Sequence, residues 1–238
     1  MGLLSTGTSL TWEEIEKWSE YVKEHGILQF INIYNSLKGR ENDLLKYGDE
    51  VEYCMIYLDH INKCAKLDLR ACEALEILQE NELNNQKYLD SLWRMEYSSY
   101  MIEGTPGKPF CCTISRLKLI ETSMWLRKQE LDEVLNKIDS NLIFVCYSAF
   151  PRVGCSNFTN PEIDLSLTDN SISKSTYFPD SAIFLDHPRF ANLTRNIRSR
   201  LGHKQKIYVP VWFDINTPNP FLESIPTHAD LQTRQAII

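Results

Sequence analysis

The architecture of this chain follows from one stretch, Gly48-Asp49-Glu50-Val51-Glu52-Tyr53-Cys54-Met55-Ile56-Tyr57-Leu58. Side chains that favour β-structure occupy every second position from Val51 to Tyr57, and this alternation predicts a strand. Because strand side chains repeat every two residues, Glu50 and Glu52 project from one face, about 7 Å apart along the backbone. Ile56 lies further along that face, so the face is expected to be at least partly covered.

The glutamate pair on this strand has two interpretations. Two carboxylates on one face repel each other unless water or a cation separates them. A solvent-exposed strand face is the ordinary explanation of an isolated Glu-x-Glu pattern. Apolar residues on both faces of the predicted strand weaken that explanation, because neither face would then be open to bulk water. A cation between Glu50 and Glu52 is the second interpretation.

A second acidic segment runs from Met95 to Pro106. Its two glutamates, Glu96 and Glu103, are seven residues apart, and this odd offset would put them on opposite faces of a regular strand. They converge only if a bulge or bend intervenes, and Ser98-Ser99 is the position that best fits one. Without a bend, the segment is an aromatic strand with charged ends.

The flanking patterns predict paired strands with helices inserted among them. Helices are predicted over residues 11–23, 27–38, 71–79, 115–138 and 192–200, a loop over 81–87, and strands over 50–58, 65–69, 96–103, 142–150 and 206–213. Thr11 and Glu14 form a capping box at the first helix, and Gly26 is predicted to end it. Glycine and proline over residues 104–109 predict irregular structure. The order of elements favours an α+β fold with an antiparallel sheet.

Composition excludes several classes of function. The net charge of −7 is inconsistent with a general nucleic-acid surface or with binding to an anionic membrane, since both require a basic excess. No apolar run approaches the roughly 20 residues that cross a bilayer. The seven cysteines form no Cys-x-x-Cys pair, and no secretion signal precedes them, so they are expected to be reduced thiols of a cytoplasmic protein.

Several motifs resemble the catalytic subunit of the glutamate–cysteine ligases of animals and fungi. They occur in the order of that family, with nearly its spacing, over almost the whole chain. They are Met1 to Leu4, His25 to Phe30, Gly48 to Tyr53, Tyr100 to Pro106, Pro151 to Cys155, Phe178 to Asp180, His187 to Phe190 and Leu193 to Arg198.

The resemblance implies a reaction and a fold. The family uses ATP to phosphorylate the γ-carboxylate of L-glutamate, and the amine of L-cysteine then displaces the phosphate to give γ-glutamylcysteine, the first step of glutathione biosynthesis. Its fold is similar to glutamine synthetase, with an antiparallel sheet lining a funnel in which glutamates hold Mg²⁺. A modifier subunit of the ligase is a further implied partner.

The resemblance also assigns residues. Glu50, Glu52, Glu96 and Glu103 fall on the metal-binding glutamates of the family. Mg²⁺ prefers carboxylate oxygens and bridges them to phosphates, which reconciles an acidic protein with an anionic nucleotide.

Three arginines are candidates for binding the nucleotide. Arg127 falls on a basic pair of the family, although a solvated helix face is the simpler interpretation of that position. Arg195 and Arg198 belong to the densest basic cluster, which could hold a nucleotide or pair with the acidic excess at the surface.

The match ends before a whole family sequence would. Residues 1–214 are expected to form the N-terminal part of the catalytic domain and residues 215–238 an irregular tail, so the fold would be incomplete relative to the family. Ser98 stands where the family has glycine, and it would be strained if its φ were positive. Two hypotheses follow. The chain is either a portion of the ligase, expected to show no turnover alone, or a truncated non-catalytic relative that acts as a binding or regulatory module.

Overall fold

The computed structural model describes residues 7–84, 89–150, 153, 157–164, 171–175, 178–203 and 215–216. The helices are α1 (Trp12–Leu37), α2 (Ala71–Asn84), α3 (Ile114–Leu117), α4 (Leu119–Ile138) and α5 (Pro188–Leu201). The strands are β1 (Lys46–Tyr47), β2 (Val51–Asp59), β3 (Cys64–Asp68), β4 (Ser91–Met95), β5 (Met101–Pro106), β6 (Phe110–Cys111), β7 (Leu142–Val145) and β8 (Thr159–Asn160). The predicted strand over 206–213 and nearly all of the predicted tail lie outside the described residues. The mixture of helices and strands confirms the predicted α+β class.

Strand β2 organises the main sheet, as the alternation in its sequence predicts. Six strands form this sheet in the order β4-β5-β2-β3-β8, with β7 also paired to β2. The pairings of β2 with β3, β5 and β7 are antiparallel, as is that of β4 with β5. Strand β8 runs parallel to β3, so the expectation of a wholly antiparallel sheet is wrong. The parallel strand arrives from a distant segment, and no pattern local to β3 specifies its direction.

The main core lies between this sheet and helices α2 and α4. Met55, Trp93 and Leu131 have no exposed surface there. Each large apolar side chain that is fully buried contributes roughly 1.5–3 kcal/mol to stability. The second half of α4 is the part that the core covers, since Leu131, Val134 and Leu135 are buried whereas Met124 is exposed.

The first helix differs from its prediction. The capping box is confirmed, since the Glu14 amide donates to the Thr11 hydroxyl oxygen and the Thr11 amide donates to the Glu14 carboxylate. A single helix then continues through Gly26 to Leu37. A glycine inside a helix costs only about 1 kcal/mol relative to alanine, so it weakens the helix without ending it. All of α1 lies within the described residues, and none of its side chains is buried.

The predicted strand over residues 96–103 is wrong in its first part, because residues 96–100 form a bend and only residues 101–103 belong to a strand. Strand β4 ends at Met95 and β5 begins at Met101. Strand β5 continues to Pro106, so the prediction of irregular structure from residue 104 is wrong. Pro106 is the last residue of the strand and lies two residues beyond the last pair between β5 and β2, which is Gly104 with Val51. Among the helices that the structure describes, none is long and apolar enough to cross a membrane.

Candidate metal centre

Two of the four glutamates are neighbours across a strand pair. In the register of β2 and β5, Glu52 lies directly opposite Glu103. Side chains in such a pair project from the same face with their Cβ atoms about 5 Å apart. Glu50 precedes Glu52 by two residues and shares its face by strand alternation. Glu50 and Glu52 are exposed, whereas Glu103 is 5% exposed.

Glu96 reaches the same face because the chain bends immediately after it. The Phe184 amide donates to the Tyr97 carbonyl (2.9 Å), and the Ser99 amide donates to the Ala182 carbonyl (2.8 Å). Ser98 forms an isolated β-bridge with Ile183. The bend therefore lies where the sequence predicts it, and it is fixed by a segment more than 80 residues away in the chain.

Serine fits the bend without backbone strain. The described non-glycine residues with positive φ are Asn42, Lys63, Asn157 and Lys174. Ser98 is not among them, so the conditional prediction of strain at this position does not apply. Its side chain is 4% exposed and lies inside the fold.

The four glutamates line one cavity of about 310 Å³. Its other lining residues come from β4, the bend and α5, and they are Arg94, Met95, Tyr97, Arg189, Phe190 and Leu193. Three separate segments of sequence thus contribute carboxylates to one space. The structure thus brings Glu50 and Glu52 into the same cavity as Glu96 and Glu103.

Among the four glutamates, Glu103 is the one whose ionised form the fold destabilises most clearly. Burial raises the pKa of the Glu103 carboxyl, and the negative charges of Glu50 and Glu96 raise that pKa further. Its Oε1 atom is buried and has no hydrogen-bond partner within the described part of the chain. Buried polar atoms are almost always paired, so an orphaned carboxylate oxygen beside other carboxylates is a candidate ligand for a cation.

The donor set suits Mg²⁺, which is a hard cation and prefers carboxylate oxygens. Across the described ranges, however, no three His, Cys, Asp or Glu side chains are already arranged to hold a metal ion. The carboxylates share the cavity without forming a complete coordination sphere. Glu50 and Glu52 are exposed enough to reorient towards an ion.

Arg127 lies elsewhere, and its interpretation as a residue of a solvated helix face is wrong. Its side chain is 1% exposed, and its guanidinium group pairs with Asp49 and donates to the Ser123 hydroxyl (2.9 Å). Arg127 also contacts Tyr53, which alternates with Glu52 and so points to the opposite face of β2. Arg127 is not among the described residues that line the glutamate cavity.

Arg195 and Arg198 are on α5 but do not belong to the described lining of this cavity. Arg195 is exposed. Arg198 donates to the Ser173 carbonyl, and its burial lowers the pKa of its guanidinium group. A nucleotide contact from Arg127, Arg195 or Arg198 stays a prediction.

Arg94 and Arg189 are cavity residues that the sequence analysis missed. Arg94 precedes Glu96 by two residues, and strand alternation could have placed the two on one face. Its guanidinium is held by the Glu82 carboxylate at 2.7 Å. Arg189 lies in the motif His187-Pro188-Arg189-Phe190, but no local pattern connects that motif to the sheet.

Comparison with known proteins gives the family. The sequence profile of glutamate–cysteine ligase matches residues 1–237. The chain belongs to the glutamate–cysteine ligase family. It is 46% identical over 224 residues to the glutamate–cysteine ligase catalytic subunit of Homo sapiens, which covers 94% of this chain and 34% of the human protein.

More distant members of the glutamate–cysteine ligase family match over the same extent. The Dictyostelium discoideum ligase is 38% identical over 228 residues, with 96% of this chain and 34% of that protein covered. The Saccharomyces cerevisiae ligase is 32% identical over 229 residues, with 92% and 33% covered. The chain therefore spans about a third of the length of these curated relatives.

Proposed function

We propose that this chain carries the Mg²⁺-binding part of a glutamate–cysteine ligase site. The reaction joins the γ-carboxyl group of L-glutamate to the amine of L-cysteine at the expense of ATP, as the first step of glutathione biosynthesis. The observation that carries the proposal is the shared cavity of Glu50, Glu52, Glu96 and Glu103, in which a buried carboxylate oxygen has no described hydrogen-bond partner. Membership of the ligase family supports the reaction class.

The acidic and the basic residues of the cavity have different proposed roles. Mg²⁺ bound to the glutamates would neutralise the phosphates of ATP and the charge that develops during phosphoryl transfer. Glu52 and Glu103 have backbones fixed by the strand ladder and provide the rigid part of the ligand set. Arg94 is fixed by Glu82 and keeps a positive charge at the cavity wall, where an anionic group of a substrate can approach.

The proposal extends to the cellular compartment and to a partner subunit. The described cysteines are free, which suits a reducing compartment, and we assign the protein to the cytoplasm. The human relative is named a catalytic subunit, which supports a modifier subunit as a partner.

A binding module without catalysis is the second candidate, and helix α1 favours it. Trp18, Tyr21 and Phe30 of this helix are more than half exposed, at 58%, 55% and 69%. Large apolar surfaces of this kind mark sites of protein interaction. Cation binding at the glutamates distinguishes the candidates, because an interaction module has no need of it.

The deciding experiment titrates the chain with Mn²⁺, a paramagnetic substitute for Mg²⁺, and measures free ion by electron paramagnetic resonance. Glu50→Gln/Glu52→Gln is expected to weaken binding at least about tenfold, since it removes two carboxylate ligands. Glu76→Gln/Glu80→Gln is the matched control, because it removes two exposed acids on α2 outside the cavity. Equal affinities for wild type and the first variant, or equal losses in both variants, would contradict the proposal.

A second titration addresses the nucleotide. Binding of ATP is expected to require the divalent ion, since four of the six charged residues that line the cavity are acids that repel phosphate. Chelation with EDTA should therefore abolish ATP binding, and restoring Mg²⁺ should recover it. ATP binding that is unaffected by EDTA would show that the glutamates do not hold the metal for the nucleotide.

A further inference from the structure

Glu96 is the cavity glutamate that lies in the bend between β4 and β5; Glu50, one residue before β2, is the other whose backbone lies outside the β-strands. Glu52 and Glu103 are fixed by the ladder between β2 and β5, whereas Glu96 stands at the start of the bend between β4 and β5. A strand ladder constrains each residue through its neighbours on both sides. The position of Glu96 therefore depends on contacts made by the bend itself.

Tyr97 connects Glu96 to helix α5. Its backbone amide donates to Oε2 of Glu96 (3.2 Å), and its side-chain oxygen lies 2.7 Å from Oγ1 of Thr194. The Thr194 hydroxyl donates to the Phe190 carbonyl (3.3 Å). Either hydroxyl can donate in the contact between Tyr97 and Thr194; when the Thr194 proton is given to the Phe190 carbonyl, Tyr97 donates and Thr194 accepts.

The same tyrosine packs into the cavity wall. Its ring centroid lies 5.4 Å from that of Phe178 and 6.0 Å from that of Phe190. Helix α5 also provides Arg189 and Leu193 to the cavity. Contacts of Tyr97 thus join α5 to the peptide that holds the Glu96 carboxylate.

We propose that Tyr97 and Thr194 are positioning residues for Glu96, and that their hydrogen bond sets the affinity of the glutamate cavity for a divalent cation. The proposal rests on the proposed function of the cavity. Among the described hydrogen bonds, the link from Thr194 towards Glu96 runs through the Tyr97 hydroxyl, so the effect of Thr194 on cation binding is expected to disappear when that hydroxyl is absent. The hydrogen bond restricts the bend to the conformation in which Glu96 faces the other carboxylates.

The test measures Mn²⁺ affinity by electron paramagnetic resonance for variants of the full chain. Tyr97→Phe and Thr194→Val are each expected to weaken binding about 3- to 10-fold, the effect of losing one intramolecular hydrogen bond. Thr194→Ser keeps the hydroxyl and should bind nearly as well as wild type. The double variant Tyr97→Phe/Thr194→Val should be no weaker than the weaker single variant, because both changes delete the same contact.

A matched control separates positioning from general stability. Thr159 is buried, and its hydroxyl donates to the Pro161 carbonyl (2.8 Å) in a part of the fold outside the cavity. Thr159→Val makes the same chemical change as Thr194→Val, so it should lower the thermal midpoint comparably and leave Mn²⁺ affinity unchanged.

Each unfavourable result has a distinct meaning. Unchanged affinity in Tyr97→Phe and Thr194→Val overturns the positioning role, as do additive losses in the double variant or an equal loss in Thr159→Val. A wild-type chain that binds no Mn²⁺ overturns the proposed function and this inference with it. Wild-type binding with unaffected variants overturns the inference alone.

Discussion

Arg127 and Asp49 form an ion pair beneath the strand that carries the first two glutamates. Arg127 is 1% exposed and the Asp49 side chain is 19% exposed. Asp49 immediately precedes Glu50, so the pair fixes helix α4 to the start of the cavity strand. Arg127 Nε and Asp49 Oδ1 have no hydrogen-bond partner among the described residues. The pair is consequently sensitive to any change that leaves one charge alone.

Arg127→Met is expected to lower the free energy of unfolding by about 3–5 kcal/mol, because it leaves Asp49 uncompensated in a largely buried place. Urea denaturation followed by circular dichroism measures the loss. Lys128→Met is the control: this neighbour is exposed, and its substitution should change stability by about 1 kcal/mol or less. A small and equal effect of both substitutions would mean that the ion pair contributes little.

Glu103→Gln is expected to alter how stability depends on pH. The raised pKa means that, between the ordinary value of 4.5 and the raised one, the folded state keeps a proton that the unfolded state has released. Stability of the wild type therefore falls as pH rises through this interval. The glutamine variant lacks this decline, and at neutral pH without divalent ions it should be more stable than wild type.

Thermal unfolding from pH 4 to pH 8, with and without Mg²⁺, checks this expectation. Mg²⁺ should raise the midpoint of the wild type at neutral pH, because a bound cation compensates the buried carboxylate. It should have a much smaller effect on Glu103→Gln. Parallel curves for the two proteins would show that this carboxyl group has little effect on stability.

Gly104→Ala is expected to destabilise the protein by roughly 1–3 kcal/mol, the usual effect of overpacking. A Cβ atom at Gly104 would lie 2.7 Å from Cζ3 of Trp93, which is completely buried on the neighbouring strand. Gly26→Ala provides the contrast. It adds a Cβ in open space within α1 and should stabilise that helix by about 0.5–1 kcal/mol. Denaturant midpoints distinguish the two, and similar midpoints would contradict the packing argument.

Cys54 is expected to react with iodoacetamide much more slowly than Cys112. Cys54 is buried, and burial raises the pKa of its thiol, so less thiolate is present at neutral pH. Cys112 is exposed. Peptide mass spectrometry over a time course gives both rates in one sample. Equal rates under native conditions would indicate that β2 opens readily.

The features that could be predicted were those set by near neighbours in the chain. The capping box of Thr11 and Glu14 follows from a spacing of three residues, and the strand β2 follows from alternation over its own length. Placing Glu50 and Glu52 on one face needs only the period of a strand. Arg94 belonged to this class and was missed, although it lies two residues before Glu96.

Other features depend on segments that meet only in the folded chain. Gly26 does not end α1, because continued helical hydrogen bonding outweighs the modest preference of one glycine. Arg127 looked like a surface residue because an isolated basic pair on a helix usually is one. Its burial depends on Asp49, which lies 78 residues away in the sequence and whose carboxylate compensates the charge of the guanidinium group.

Local alternation and capping thus specified the central strand, its acidic face and the start of the first helix, because these effects act between residues a few positions apart. Convergence of Glu96 on the other carboxylates required the pairing of residues 97–99 with residues 182–184. The parallel placement of β8 and the wall formed by α5 also required distant segments to pack together. Backbone hydrogen bonds and packing across such separations have no signature in either segment alone, so folding had to bring them together.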